Sequence, residues 1–488
     1  MIPVLLIAIP LLSGLIGFFI KNGDSAKKWS LFISIATLAV SLYGIRLDKA
    51  SSVLHFDAEW IPALGSRFSV ALDGMSQILS LLTAISFPII FIATYKKEYK
   101  TPGKFYALML LSQAGLMGVF VSVDALLFYF FWELALIPVY FLSSIWGGEK
   151  RIQATFKFFI YTFVGSLLML IGIIYCYAHT TDHSFSLQSF YRLKASISGK
   201  EQSWLFWLFF IAFAIKMPIF PFHTWQPDAY EQSPTAVTMV LSGVMVKMGL
   251  FGLMRWLGPV IPGGTWLWGD TASALCIIGM IYASLVAIQQ NDLKRLVAYS
   301  SIAHIGLMCL AVFATTETGL QGVMIQMFNH GINIIALWIV VELIERQLGT
   351  RKISELGGLA QKAPALAILL VIVSLANVAL PLTNAFVGEF LMFSGIYTST
   401  ATTYNVVFTV TAGISIILSA VYMLNMIQKV FFGNTNALTE NAVDIKWNEK
   451  AILAIVVIMI LVIGVFPQPA LELTKTTAHA ILEKMNYK

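Results

Sequence analysis

Charge is scarce in this sequence: 11% of its 488 residues are Asp, Glu, Lys or Arg, against 58% that are apolar. A soluble globular chain carries roughly 25% charged residues, so a water-facing surface of ordinary size is excluded. Cysteine is nearly absent as well. Cys176, Cys276 and Cys309 sit in apolar blocks at spacings that fit neither a metal site nor a disulfide framework, and they read as small lipid- or core-facing residues. No Cys or His spacing for an iron–sulfur cluster or haem occurs, and no glycine-rich nucleotide fingerprint follows a strand. No Ser-His-Asp or metal-binding constellation is apparent in the sequence. No Gly/Ser linker or low-complexity run divides the chain, so one polytopic membrane domain over residues 1–488 is expected.

What is present is a series of long apolar runs. Each is about 20 residues, the length that crosses a bilayer core of about 30 Å, and about fourteen can be placed along the chain. Only helices and closed barrels satisfy the backbone in lipid, and these runs are far too long for barrel strands. The expected class is therefore an all-α integral membrane protein. The first run, Ile2–Ile20, has no preceding basic stretch and no small-residue cleavage pattern, and is expected to remain as a helix. The polar stretches around residues 46–69, 180–203 and 432–449 read as ordinary inter-helix loops.

Fourteen crossings place 19 basic residues in the loops of one side and 10 on the other, the latter including Lys49, Arg67, Arg255 and Lys488. The richer side should face the cytoplasm, which puts both termini on the outer, periplasmic side of a bacterial inner membrane. The net charge of +6 then reflects orientation and contact with lipid headgroups, and no nucleic-acid partner is implied. Two of the 31 basic residues are left over, Lys216 and Lys247, both inside predicted helices.

Two helices are interrupted in a comparable way. One reads Ala-Ile-Lys-Met-Pro-Ile-Phe-Pro-Phe-His-Thr-Trp, with Pro218 and Pro221 in mid-span; the other reads Ala-Leu-Pro-Leu-Thr-Asn-Ala-Phe-Val-Gly-Glu-Phe, with Pro381 in mid-span. Each proline removes an amide donor and clashes with the preceding turn, so the helix must break or kink. Breaks five helices apart point to an inverted repeat with its ion site at the breaks. The expected layout is N-terminal helices over 1–103, a first repeat over 104–257, a second over 267–431, and a C-terminal loop and last helix over 432–488.

An ionisable side chain at mid-bilayer costs roughly 2.5–3.5 kcal/mol on insertion scales, so several in one protein need a reason. Glu133, Lys216, Lys247, His304, His330 and Glu389 each come from a different apolar run. Snorkelling to the interface explains charges near helix ends, but Glu133, Lys216 and Lys247 lie well inside their runs. Histidines can be satisfied by a neighbouring backbone, and Glu389 can cap a broken segment. The functional reading is a proton path. Burial disfavours a charged group while an opposite charge nearby favours it, and histidine ordinarily titrates near neutral pH. Acids and bases alternating with water can pass protons along such a file.

The residues that carry these features have a family likeness. Phe-Trp-Glu-Leu, Lys-Met-Pro-Ile-Phe-Pro-Phe-His-Thr-Trp-Gln-Pro-Asp-Ala, Ser-Pro-Thr-Ala, Leu-Lys-Arg-Leu-Val-Ala-Tyr-Ser-Ser-Ile-Ala-His-Ile-Gly and Phe-Val-Gly-Glu-Phe together resemble the antiporter-like membrane subunits of respiratory complex I, the NADH:quinone oxidoreductase. His304 and Glu389 point to the subunit M (chain 4) branch, because sister subunits and multisubunit cation/proton antiporters typically carry Lys at the second position. The resemblance implies fourteen transmembrane helices, with helices 4–8 and 9–13 as inverted repeats. It implies that Glu133 and Lys216 form a Glu–Lys pair, that Lys247, His304 and His330 lie on the central axis, and that Glu389 is the terminal acid toward an adjoining subunit. By the same resemblance the chain binds no cofactor, and NADH, flavin, iron–sulfur clusters and quinone belong to partner subunits. Its direct partners would be other antiporter-like membrane-arm subunits and the bilayer.

Two places depart from the family pattern. The second break commonly has glycine after its proline and often a small residue after the threonine, where this chain has Leu382 and Asn384. Losing that glycine should stiffen or reshape the break. Tyr230 stands where a histidine commonly follows Pro-Asp-Ala, and a phenol with its ordinary pKa of about 10 is a poor proton carrier at neutral pH. A subunit of a multisubunit Na⁺/H⁺ antiporter and a membrane subunit of an energy-converting hydrogenase share much of this likeness and stay open here. A scaffold whose charges only pair helices does not explain why both repeats break beside ionisable groups.

Overall fold

The computed structural model describes residues 1–48 and 51–486; Lys49 and Lys488, counted above among the outer-side basic residues, lie outside the described residues. The chain opens with α1 (Ile2–Gly17), α2 (Gly23–Arg46), α3 (Gly74–Ala93), α4 (Pro102–Val121), α5 (Ala125–Trp146) and α6 (Arg151–His179). A short α7 (Leu187–Arg192) precedes a broken crossing, α8 (Gly199–Lys216) and α9 (Trp225–Gln232). Then come α10 (Thr235–Leu257), α11 (Pro262–Ile288), α12 (Leu293–Phe313) and α13 (Glu317–Leu348). A second broken crossing, α14 (Pro364–Asn377) and α15 (Asn384–Tyr397), is followed by α16 (Asn405–Phe431), α17 (Trp447–Val465) and α18 (Gln468–Met485). Among the described residues, eleven helices are long and apolar enough to cross a membrane. With α1 and the two broken crossings they make the fourteen that the sequence predicts.

Five crossings run from α4 to α10 and five more from α11 to α16, and in each run the fourth crossing is the broken one. Five is odd, so the second run starts from the opposite side of the membrane and the repeat is inverted. Polar residues start the helices where the apolar runs begin. Asp124 accepts from the N–H groups of Leu126 and Leu127 at the start of α5, and Asp292 does the same for Lys294 and Arg295 at the start of α12. These side chains satisfy amides that have no partner within the helix.

The chain forms two compact units: Met1–Met217 with Gln232–Thr271 and Glu472–Lys488, and Pro218–Glu231 with Ala272–Leu471. The chain therefore changes unit at the first proline break. In the first unit the stretch read as a plain loop over 46–69 holds an antiparallel hairpin, β1 (His55–Ile61) with β2 (Ser66–Ala71). Asp124 anchors it, accepting from the Ser66 hydroxyl at 3.0 Å and the Arg67 amide at 3.0 Å. Arg255, assigned above to an outer loop, is instead buried at the end of α10, where it pairs with Asp73 at 2.6 Å. The π-helical turn Leu253–Leu257 carries it there. The helix α18 was not anticipated; its Thr477 hydroxyl accepts from the Gly74 amide at 2.9 Å.

In the second unit an ion-pair network moors α9 to its neighbours. Arg295 reaches Asp228 at 3.1 Å and Glu231 at 2.9 Å, and Arg351 reaches Glu231 at 3.0 Å and Glu345 at 3.2 Å. Lys294 pairs with Glu345 at 2.8 Å. At the second break the leucine takes the left-handed backbone conformation that a glycine favours. Leu382 holds φ +73°, a left-handed conformation that costs an L-residue roughly 1–2 kcal/mol. Its carbonyl presses on α17 at Gly464, where a Cβ would lie 2.3 Å from it. The Leu382 side chain is 67% exposed, so little packing depends on it. Leu382→Gly should therefore raise stability by about 0.5–1 kcal/mol, read as a higher unfolding midpoint of the purified protein in detergent. A lower midpoint would show that the leucine contributes more by contact than it costs in strain.

Candidate functional site

Apolar helix faces can meet lipid; ionisable side chains need protein around them. Of the long spans, α10, α12 and α13 are buried over their whole apolar windows. They are the helices that carry Lys247, His304 and His330. By contrast α2, α16 and α17 are no more than a third buried, and the sequence places no candidate on them.

In the first unit, Glu133 projects from α5 and Lys216 ends α8. Lys216 is buried, with its ammonium 5.5 Å from the centre of the Trp132 ring and 5.9 Å from that of Phe158. Both are cation–π distances. Lys216 Nζ and Glu133 Oε1 are buried with no hydrogen-bond partner among the described residues. The two side chains interact electrostatically, and the Ser166 hydroxyl lies within hydrogen-bonding reach of the Glu133 carboxyl. The position of Lys216 follows from the break. Pro218 lacks the N–H that would bond the Ala214 carbonyl, so α8 stops and presents its carbonyl end beside the ammonium. The neighbouring helix comes very close there: a Cβ on Gly249 would sit 2.7 Å from the Phe213 carbonyl.

Lys247 lies in the same unit on α10, directly after the π-helical turn Leu241–Met245. Its Nζ donates to the Ser242 carbonyl at 2.7 Å, a contact made within its own helix. Turns of this kind are rare and gather at functional positions. They change the helical register, which decides the face on which Lys247 emerges.

In the second unit, His304 of α12, His330 of α13 and Glu389 of α15 come together. His304 Nδ1 is 3.3 Å from Glu389 Oε1, and the two histidine rings are 5.8 Å apart. Gln326 donates weakly to the same carboxylate oxygen at 3.5 Å. The six sequence candidates thus divide between the units: Glu133 and Lys216 interact in one, which also holds Lys247 on its own helix, and His304, His330 and Glu389 meet in the other. Tyr230 is buried edge-on against Trp338, 5.9 Å between ring centres, as an aromatic packing residue.

Amides that carry no charge in the sequence surround the second cluster. Asn329 donates to the Asn384 carbonyl at 2.7 Å, Asn384 to Asn333 Oδ1 at 3.0 Å, and Asn377 to the Ser300 hydroxyl at 3.1 Å. Tyr422 of α16 also donates to Ser300, at 3.0 Å. A signal was there: Gln326, Asn329, His330 and Asn333 recur at three- and four-residue steps, so one face of an otherwise apolar helix is polar.

Residues 122–466 match the family described as NADH:quinone oxidoreductase/Mrp antiporter, TM. The chain is 36% identical over 490 residues to NADH-quinone oxidoreductase subunit M of Rickettsia typhi, covering 98% of each. It is 35% identical over 495 residues to F(420)H(2) dehydrogenase subunit M of Methanosarcina mazei, covering 99% of this chain and 98% of that one. Its backbone matches a chain of respiratory complex I from Thermus thermophilus with bound NADH at a TM-score of 0.91 and 28% identity, over 100% of both chains.

Proposed function

We infer, because the chain belongs to the NADH:quinone oxidoreductase/Mrp antiporter family of membrane subunits, that it is a proton-translocating membrane-arm subunit of a complex I-type NADH:quinone oxidoreductase. The observation that carries this reading is 36% identity to a subunit M over 98% of both chains, in a chain that carries an acid, two lysines, two histidines and a second acid inside its crossings. It acts as part of a translocase, with no redox centre of its own. NADH, flavin, iron–sulfur clusters and quinone are the business of partner subunits, and other antiporter-like subunits are its neighbours in the membrane. The excess of basic residues on one side supports an inner-membrane orientation with both termini outward.

The relay runs through Glu133, Lys216, Lys247, His304, His330 and Glu389. Glu133 and Lys216 interact in buried surroundings beside the Trp132 and Phe158 rings, where electrostatic effects are stronger than in water. A change in the charge of Glu133 therefore changes whether Lys216 keeps its proton, and Lys247 lies in the same unit to receive it. In the second unit the His304–Glu389 contact is the corresponding switch, with His330 beside it. Electron transfer elsewhere in the complex supplies the free energy, delivered as charge changes at the ends of the file.

Purification of the tagged chain from its own membranes, followed by reconstitution into vesicles, tests the reading. The chain should co-purify with quinone-reducing subunits, and NADH should drive quinone reduction together with proton movement into the vesicles. Isolation with cation/proton antiporter subunits alone would overturn it. A complex driven by F(420)H(2), as the name of the Methanosarcina mazei relative gives, would replace the electron donor while leaving the proton path in place.

A further inference from the structure

The second break is held by a face of α13 that carries three amides. Gln326, Asn329 and Asn333 stand at positions i, i+3 and i+7, all buried and all turned to α15. Asn333 accepts from the Asn384 side chain at 3.0 Å and donates to the Ala376 carbonyl of α14 at 3.4 Å, so it bridges the two halves of the broken crossing. Asn329 donates to the Asn384 main-chain carbonyl at 2.7 Å. The Asn384 Oδ1 accepts from the Ala385 amide at 2.8 Å, which supplies the start of α15 with a cap that Thr383 does not provide. Two helical turns further along, Gln326 meets the Glu389 carboxylate.

Glycines press the two helices together over the same stretch. A Cβ on Gly388 would lie 2.4 Å from Gln326 Oε1, one on Gly322 2.8 Å from the Met392 amide nitrogen, and one on Gly395 2.5 Å from the Gly319 Cα. Such close packing fixes the distance between the helices but leaves sliding along their length open; the amides fix the sliding. A slip of one turn, about 5.4 Å, would break every one of these bonds and carry Glu389 away from His304.

We propose that Asn333, Asn329 and Gln326 of α13, reading Asn384 and Glu389, are positioning residues that set the register of α15 and thereby hold the Glu389 carboxylate on His304. The inference rests on the relay reading for its consequence in pumping, and on the hydrogen bonds alone for the placement of Glu389. Asn384 is central because its side chain serves two partners at once, its own helix start and Asn333. An alanine at that position can do neither.

The test uses the assembled membrane complex. The infrared band of the Glu389 carboxyl group is first assigned by its loss in Glu389→Gln. In Asn384→Leu and Asn333→Leu that band should shift, and NADH-driven proton translocation per assembled complex should fall roughly tenfold or more, the usual effect of displacing a reacting group by about 1 Å. A merely structural role would reduce the amount of complex that assembles without moving the band in what does assemble. An unshifted band overturns the proposal, whatever happens to pumping. Normal pumping in Glu389→Gln would instead defeat the relay reading, and the band would still report on the register. If both leucine variants fail to assemble, Asn329→Ala, which removes the bond to the Asn384 carbonyl without touching Glu389, is read by the same band with the same two outcomes.

Discussion

Lys216→Met is expected to lower proton translocation roughly 100-fold or more, while the complex still assembles. Removing a proton-transferring group ordinarily costs 10²–10⁴-fold. The same loss is expected from Glu133→Gln. Methionine keeps the length and apolar stem of the lysine and fits against Trp132 and Phe158, whose rings lie within 6 Å of the ammonium. Because Lys216 Nζ has no hydrogen-bond acceptor among the described residues, its burial is a standing cost, and replacing it with an apolar isostere should leave the fold as stable or more so. The substitution thus separates chemistry from stability. If lysine were there only to pair helices, the methionine variant would pump normally. The double variant Lys216→Met/Glu133→Gln should be no worse than either single one, since groups acting as one device are strongly non-additive. Proton uptake by vesicles, normalised to assembled complex, decides both points; normal pumping with normal electron transfer would end the relay hypothesis.

Glu389→Gln carries the second large effect. The His304–Glu389 contact of 3.3 Å joins an acid and a base from different helices, α12 and α15. Glutamine preserves the shape and can still bond Gln326, but it can neither lose a proton nor carry charge. Translocation should fall roughly tenfold or more. Glu389→Asp is the informative companion: it keeps the acid and draws it back by one methylene, breaking the contact with His304. If register matters as much as charge, Asp should be nearly as damaging as Gln. Near-normal pumping in Glu389→Asp would show that charge alone suffices. Glu389→Lys, the residue typical of related antiporters at this place, would set a like charge against any protonated His304 and is expected to be inactive.

Much of this protein was legible in one dimension. Apolar runs of bilayer length and the ban on unsatisfied backbone in lipid determine fourteen helical crossings without any tertiary information. Proline chemistry alone locates both breaks, at Pro218 and Pro381. The expense of burying charge singled out Glu133, Lys216, Lys247, His304, His330 and Glu389, because a charge in an apolar run is conspicuous wherever it occurs. The missing glycine at Leu382 likewise singled out the second break, where the structure holds the leucine at φ +73°, a conformation that favours glycine.

What the sequence did not determine are the features that depend on partners far away in the chain. The hairpin over His55–Ala71 had a local trace in the alternation His-Phe-Asp-Ala-Glu-Trp, but its pairing and its anchor, Asp124, more than fifty residues on, are set by contacts distant in the chain. Arg255 looked like a loop charge because the π-helical turn that carries it inward, and the Asp73 that receives it, have no local signature. The amides of α13 were visible as a polar face, but uncharged side chains in a helix raise no alarm by themselves. Only the tertiary structure decided that this face meets the second break. It also decided which buried charges are neighbours. Periodicity fixes the face of a helix on which a residue stands, whereas the helix that lies against that face is set by packing. That is why Glu133 with Lys216 and His304 with Glu389 emerge as separate pairs in two units.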